Sequence, residues 1–174
     1  MSPARLREAT PADAHAIATV HVASWQVAYR GLMPDHVLDG LSVDDRARIW
    51  ADRLAAPDTP TRTLLVVEGP AVLGFASTGP ARDDPADGEL YAFYLDPSAW
   101  GRGHGARLHA GAVDRLRTDG FTHARLWVLD SNERALRFYH RQGWTETGRT
   151  KVDRDLGGGT PLAERELHRT VEAG

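Results

Sequence analysis

Leu95-Asp-Pro-Ser-Ala-Trp-Gly-Arg-Gly-His-Gly-Ala-Arg-Leu108 is the stretch on which the reading of this chain turns. A run of strand character, Glu89-Leu-Tyr-Ala-Phe-Tyr-Leu95, stops at Asp96-Pro97. Glycines follow at 101, 103 and 105, and then a helix with Leu108, Ala112, Val113 and Leu116 on one side. Glycine lets a backbone approach a ligand closely and turns consecutive N–H groups into one concavity. The helix start adds unpaired donors and the positive end of a dipole, so a pyrophosphate suits this turn. Arg102 and Arg107 stand ready for further phosphates. The same glycines also fit a bare tight connection, and Gly101, Gly103 and Ala106 fit the G-x-G-x-x-A of dinucleotide-binding folds. That fingerprint belongs to a βαβ unit with an acid about 20 residues on. Here a hairpin precedes the turn, and the nearest acid at a strand end, Asp130, comes late. The P-loop lysine is absent.

Working outward, two runs upstream, Thr63–Glu68 and Val72–Ser77, meet at Gly69-Pro70 and predict a hairpin. Further upstream, Leu6–Ala9 reads as a first strand. Thr10, Pro11 and Asp13 then form a helix start with a capping box. On that helix Ile17, Val20, Ser24 and Val27 share one face, His21, Trp25 and Tyr29 a neighbouring one, and Gly31 and Pro34 end it. Ser42 and Asp45 cap a second helix through Ile49, Trp50 and Leu54. Downstream, Ala124–Leu129 is a strand, Asn132 caps a helix carrying Ala135, Leu136 and Tyr139, and Gly143 closes it. Strands follow at Trp144–Gly148 and Leu162–His168, and Arg149–Arg154 reads as a solvated loop or strand surface. The order is βααββββαβαββ, a mixed α/β pattern with the strand count open by one.

The 174 residues form one domain, 1–174, with no repeat and no linker. Apolar residues at 41% and charged residues at 26% give a chain that buries roughly 70% of its unfolded surface. A net charge of −3 argues against nucleic-acid binding driven by bulk charge. No apolar run approaches the ~20 residues of a membrane span, and the N-terminus lacks a signal-peptide core, so the expected location is cytoplasmic, away from membranes. The absence of cysteine excludes disulfides, thiolate metal sites and a covalent acyl-cysteine. The eight histidines show no ligand spacing, so no metal is expected.

At the glycine turn the chain resembles the GNAT superfamily of acetyl-CoA-dependent N-acetyltransferases. The family motif Q/R-x-x-G-x-G/A is matched at both glycines by Trp100-Gly-Arg-Gly-His-Gly105, with Trp100 where Gln or Arg is usual. Asn132-Glu-Arg-Ala-Leu-Arg-Phe-Tyr-His-Arg-Gln-Gly-Trp144 is similar to the N-x-x-A-x-x-F-Y-x-x-x-G-F block. The opening segments Arg7–Asp13 and Val20–Gly31 resemble the same enzymes, so the likeness spans essentially the whole chain.

The resemblance implies an α/β (α+β) fold whose mixed, mostly antiparallel central sheet is splayed at the middle and flanked by helices. It implies acetyl-CoA as co-substrate, with Tyr94 and Leu95 offering main-chain groups to the pantetheine. The amides of Trp100, Gly101, Arg102, Gly103, His104, Gly105 and Ala106 would hold the pyrophosphate. Asn132 would lie near the pantetheine, or serve only as a helix cap. Tyr139 would give a proton to the leaving thiolate; without the family it reads as a packing aromatic. Glu89, at the start of the strand leading to the cofactor, is the first candidate base, and equally a solvated acid. His21, Trp25 and Tyr29 read as packing or as an acceptor pocket suited to an amine. Direct transfer to a small-molecule or peptide amine is the expected reaction; the alternative is a non-catalytic acyl-CoA sensor of the same fold. The mild acidity leans toward cationic acceptors. Homodimers are common in the family.

Overall fold

A computed structural model describes residues 3–171. In chain order the elements are β1 (Arg5–Glu8), α1 (Ala14–Ala28), α2 (Asp35–Asp39), α3 (Val43–Ala55), β2 (Arg62–Glu68), β3 (Ala71–Pro80), β4 (Gly88–Leu95), α4 (His104–Thr118), β5 (His123–Leu129), α5 (Glu133–Arg141), β6 (Thr145–Asp153) and β7 (Leu162–Thr170). The seven strands make one sheet in the order β1-β2-β3-β4-β5-β7-β6. Three strands rather than four run between α3 and α4. The mixed, mostly antiparallel sheet expected from the sequence is present, and its order is not that of a doubly wound dinucleotide fold.

Local chemistry sets the helix starts. Before α1, Thr10 and Asp13 form the reciprocal capping box with Pro11 in the first turn. Asp13 is also held by Arg7, whose guanidinium keeps that carboxyl well below the usual range. Ser42 Oγ accepts from the Asp45 amide at 3.2 Å, and Asn132 Oδ1 accepts from the Ala135 amide at 3.1 Å. Each such cap contributes on the order of 1 kcal/mol.

Two cores sandwich the sheet. On one face Leu108, Ala112 and Leu116 of α4, with Leu136 and Tyr139 of α5, pack on Val66, Leu90, Leu126 and Leu167. On the other, Ile17, Ala18 and Val20 of α1 and Trp50 of α3 cover Leu65, Val67 and Phe75. Each fully buried leucine is worth about 2 kcal/mol. Val27 does not join Ile17 and Val20: it is 52% exposed, while Ser24 and Trp25 just before it are buried. The segment expected to be loop or strand surface from Arg149 is the second half of β6, which rejoins β7 after an irregularity between Glu146 and Thr150.

Two departures from regular pairing shape the middle of the sheet. β4 and β5 run parallel and pair only at Gly88↔Ala124 and Glu89↔Arg125, then diverge, so the sheet opens into a V. In β4 the register with β3 slips: Thr78 faces Leu90, Ser77 faces Ala92, and Tyr91 is the extra residue of a bulge. Strict alternation would put Leu90, Ala92 and Tyr94 on one face. The bulge instead sends Leu90, Phe93 and Leu95 toward α4, while Ala92 and Tyr94 pack on the α1 side.

A charged network clamps the β3–β4 loop. The largely buried Arg125 of β5 bonds Asp83 at 3.1 Å and also Asp87, with Glu166 of β7 at 3.5 Å. Arg149 bridges Asp83 and Glu166, each at 2.8 Å. Removing one member of a buried charge cluster costs about 3–5 kcal/mol. Arg125→Ala is therefore expected to lower stability by that order in a urea titration; a loss below about 1 kcal/mol would show a solvated network.

Candidate functional site

The V between β4 and β5 holds a cleft of about 790 Å³ that runs from the glycine turn to the α1 and α3 face. The turn itself is an array of free donors. Gly101 and Gly103 have φ of +73° and +82°, the left-handed region, and an added Cβ at either would meet open space. The Trp100 amide is taken by Pro97 O and the Arg107 amide by Gly103 O. Between them, the amides of residues 101–106 have no acceptor among the described residues. These donors, aimed from a turn into a helix start, suit an anionic diphosphate. Gly105 is different: it sits inside α4, where its missing Cβ faces Phe138 at 3.6 Å in ordinary contact.

Trp100, the departure from the family motif, donates its indole N–H to Leu95 O at 3.1 Å. The Arg134 guanidinium of α5 lies 3.4 Å from its ring centroid. A cation is thus present at the turn, supplied by α5 and stacked on the indole rather than carried by residue 100 itself. Arg107 bonds Ala4 O, which ties it to the N-terminal segment, and Arg102 is exposed outside the cleft. His104 does not line the cleft either.

At the centre, Tyr139 and Asn132 line the opening. The Tyr139 ring packs among Phe93, Phe138 and Trp144. Burial, with Tyr94 nearby, pushes its hydroxyl above the ordinary tyrosine range, and that hydroxyl has no hydrogen-bond partner among the described residues. Tyr139 is therefore a protonated donor with no protein acceptor. Asn132 keeps its side-chain oxygen on the helix cap.

The α1 side brings His21, Trp25 and Tyr29 together around Tyr94. His21 stacks on Tyr94 with centroids 5.1 Å apart, and Trp25 meets Tyr29 edge-on at 5.1 Å. His21 Nδ1 accepts from Trp50 Nε1 at 3.2 Å, so the neutral ring carries its proton on Nε2. Burial, helped by Arg46 and Arg53, lowers this histidine to about 3. Packing and lining thus coincide: His21 and Trp25 are buried in the core and also wall the cleft.

Three carboxylates reach the cleft: Glu89, Glu164 and Asp153, the last accepting from the Asp155 and Leu156 amides at 2.8 Å. Glu89 is buried, accepting from the Arg82 amide at 3.1 Å with the Arg82 guanidinium at 3.7 Å. Glu164, on β7, is 3.3 Å from Lys151; burial outweighs that pairing and raises its pKa. Sequence reasoning missed Glu164 along with Arg46, Arg53 and Arg82. The Glu-Arg-Glu alternation of residues 164–166 marks a strand with charges on both faces, but nothing local says which face meets the cleft.

Residues 25–144 match the model of the acetyltransferase (GNAT) family. The chain is 34% identical over 131 residues to the uncharacterized N-acetyltransferase YuaI of Bacillus subtilis, covering 73% of this chain and 72% of that protein. It is 37% identical over 97 residues to the mycothiol acetyltransferase of Mycobacteroides abscessus; that match takes in 54% of this chain but only 33% of the longer relative. Among solved structures, YncA of Salmonella typhimurium, an acetyltransferase described with its cofactor acetyl-CoA, superposes with a TM-score of 0.71 at 22% identity. That superposition covers 99% of this chain and 96% of the other.

Proposed function

This chain belongs to the acetyltransferase (GNAT) family, and from that premise we propose that it moves an acetyl group from acetyl-CoA directly to a primary amine bound beside it. The observation that carries the reading is the run of amides at 101–106 without an acceptor among the described residues, which opens onto the same cleft as a protonated tyrosine and three carboxylates. Those amides would hold the pyrophosphate, with Arg134 on its Trp100 platform adding charge. Main-chain groups of Tyr94 and Leu95 would align the pantetheine where β4 leaves β5. When bound, the co-substrate supplies an activated acetyl thioester, and the protein does the rest by position and proton transfer.

An alkyl ammonium titrates near 10, so a base must take its proton before nitrogen attacks the carbonyl carbon. Glu164 fits this role ahead of Glu89. Burial raises its pKa, which makes it the stronger base, whereas Glu89 is engaged by the Arg82 amide. As the new C–N bond forms and the C–S bond breaks, Tyr139 gives its proton to the departing sulfur, and the proton that the acylated nitrogen sheds restores the phenol. Because no cysteine is present, no acyl-cysteine intersects this route. Keeping both the cradle and a free tyrosine hydroxyl favours catalysis over a sensor role.

Thermal unfolding with acetyl-CoA, CoA and NADH in parallel tests the donor. At 100-fold above Kd a ligand of the native state adds about 2.7 kcal/mol, or roughly 5–10 °C for a chain of this length. A rise with acetyl-CoA and none with NADH is expected; no rise with acetyl-CoA would overturn the reading. For the base, Glu164→Gln is expected to lower kcat/KM at neutral pH by about 10²-fold and to abolish the acidic limb of the pH profile. Glu89→Gln should keep that limb. The reverse pattern would return the role to Glu89.

A further inference from the structure

The acceptor end of the cleft carries more positive charge than its own carboxylates absorb. Arg46 lies 5.9 Å from the Trp25 ring, Arg53, two turns along α3, 5.4 Å from the Trp50 ring, and Arg82 4.8 Å from the Tyr91 ring. Glu164 is matched by Lys151, Glu89 by Arg82, and Asp153 is held by the Asp155 and Leu156 amides, so four cations face three carboxylates. Among the described residues, neither Arg46 nor Arg53 has a carboxylate within 4.0 Å. The three arginines also sense one another: the Arg53 guanidinium is lowered first by burial and then by Arg46 and Arg82. Like charges held together without counter-charge are costly in the free protein and become favourable once an anion arrives.

A second observation points the same way. His21 Nε2 belongs to a side chain more than nine-tenths buried in the wall of this cleft and has no acceptor among the described residues, whereas the equally buried Trp25 indole faces the Tyr94 hydroxyl. An unsatisfied buried donor costs about 1–3 kcal/mol. One orphan N–H group and two guanidinium groups without a paired carboxylate among the described residues therefore line the same cleft.

We propose that the acceptor amine also bears an anionic group, as an amino-acid-like zwitterion does, and that Arg46 and Arg53 hold its carboxylate or phosphonate. This rests on the transferase reading and narrows its acceptor. Guanidinium groups meet such planar or tetrahedral oxyanions through paired N–H donors. The ammonium end is then directed across the cleft to Glu164, on the opposite wall, where the proton must leave. A neighbouring cavity of about 1030 Å³ shares Arg53, Arg82 and Tyr91 with the cleft and gives room for the rest of the acceptor. Simple cationic amines and polyamines, toward which the overall charge of −3 leans, meet the wrong local field here.

The test is binding of matched acceptor pairs to the CoA-saturated protein, followed by calorimetry or by the fluorescence of the cleft tryptophans. Suitable pairs are methionine with methioninamide, phenylalanine with phenylalaninamide, and 2-aminoethylphosphonate with ethanolamine. At least one anionic member is expected to bind about tenfold or more tightly than its neutral-tailed partner, the range of a charge-assisted hydrogen bond. In Arg46→Gln/Arg53→Gln that preference should shrink to about threefold or less, while CoA affinity stays as in the wild type. Equal or reversed preference, a preference that survives in the double variant, or no binding by any anionic member would overturn the proposal. If CoA still binds in that failure, the transferase reading stands; if CoA itself does not bind, both fall together.

Discussion

Replacing Tyr139 by phenylalanine is expected to cut kcat by about 10²-fold or more, within the 10²–10⁴ that a positioned proton donor contributes, and to leave CoA affinity and folding nearly unchanged. Phenylalanine keeps the ring that packs among Phe93, Phe138 and Trp144, so the core of α5 survives the change. What disappears is a hydroxyl that burial holds protonated and that has no acceptor among the described residues. A thiolate leaving group titrates near 8.5, so it can depart unaided at a slower rate, which is why a residual activity should remain. Single-turnover thiol release at saturating acetyl-CoA and acceptor separates this step from binding. An unchanged rate would leave Tyr139 as a packing aromatic and move the donor to water or to Tyr94.

The second large effect concerns acid. Two buried histidines carry depressed pKa values: His21 at about 3, through burial and then Arg46 and Arg53, and His109 at about 4, through burial and then Arg169. Each accepts a tryptophan N–H on one ring nitrogen, His21 from Trp50 and His109 from Trp144 at 2.8 Å. Protonation would set donor against donor in both places. In the unfolded chain both titrate near 6.5, so below that pH the unfolded state binds protons that the folded state refuses. The stability they contribute is complete above pH 6.5 and is lost as pH falls toward 4 and then 3. At about 1.4 kcal/mol per pH unit per group, the pair accounts for a loss of about 5 kcal/mol between pH 7 and pH 4.5. Urea titrations at the two pH values should show it. In His109→Gln, whose amide oxygen can still accept from Trp144, about half of the difference should vanish. A difference unchanged by that substitution would place the acid sensitivity in the carboxylates instead.

These two residues show how differently sequence reports on structure. Tyr139 is expected at the site only through the family resemblance of the Asn132–Trp144 block; from its own spacing it reads as a packing aromatic, and here its ring packs in the core and also lines the cleft. The glycine turn was legible from its own residues: a strand stop, positive-φ positions and a helix start all lie within a dozen residues. Capping at Thr10, Ser42 and Asn132 follows equally from neighbours three residues apart. His109, by contrast, reads as one more polar residue on an amphipathic helix. Only the arrival of Trp144, 35 residues later, makes it a buried acceptor.

What sequence alone determined here is therefore most of the elements, though neither α2 nor the strand count, together with the caps, the anion-suited turn and the family likeness, since each rests on propensities and spacings within a few turns of chain. Tertiary structure decided which of these meet. The bulge at Tyr91 overrode strict alternation and turned Ala92 and Tyr94 toward α1, because an extra residue shifts every later side chain to the opposite face. The early end of β4–β5 pairing opened the V. Sheet order, which sets β7 beside β5, brought Glu164 to a cleft whose cations come from α3 and from the loop after β3. Packing of α5 near the turn laid Arg134 on Trp100 and restored a cation at a position where the sequence shows none. Charges 82 to 118 residues apart become a site only through long-range packing, since their mutual energies depend on distance and burial, and neither is written in local sequence.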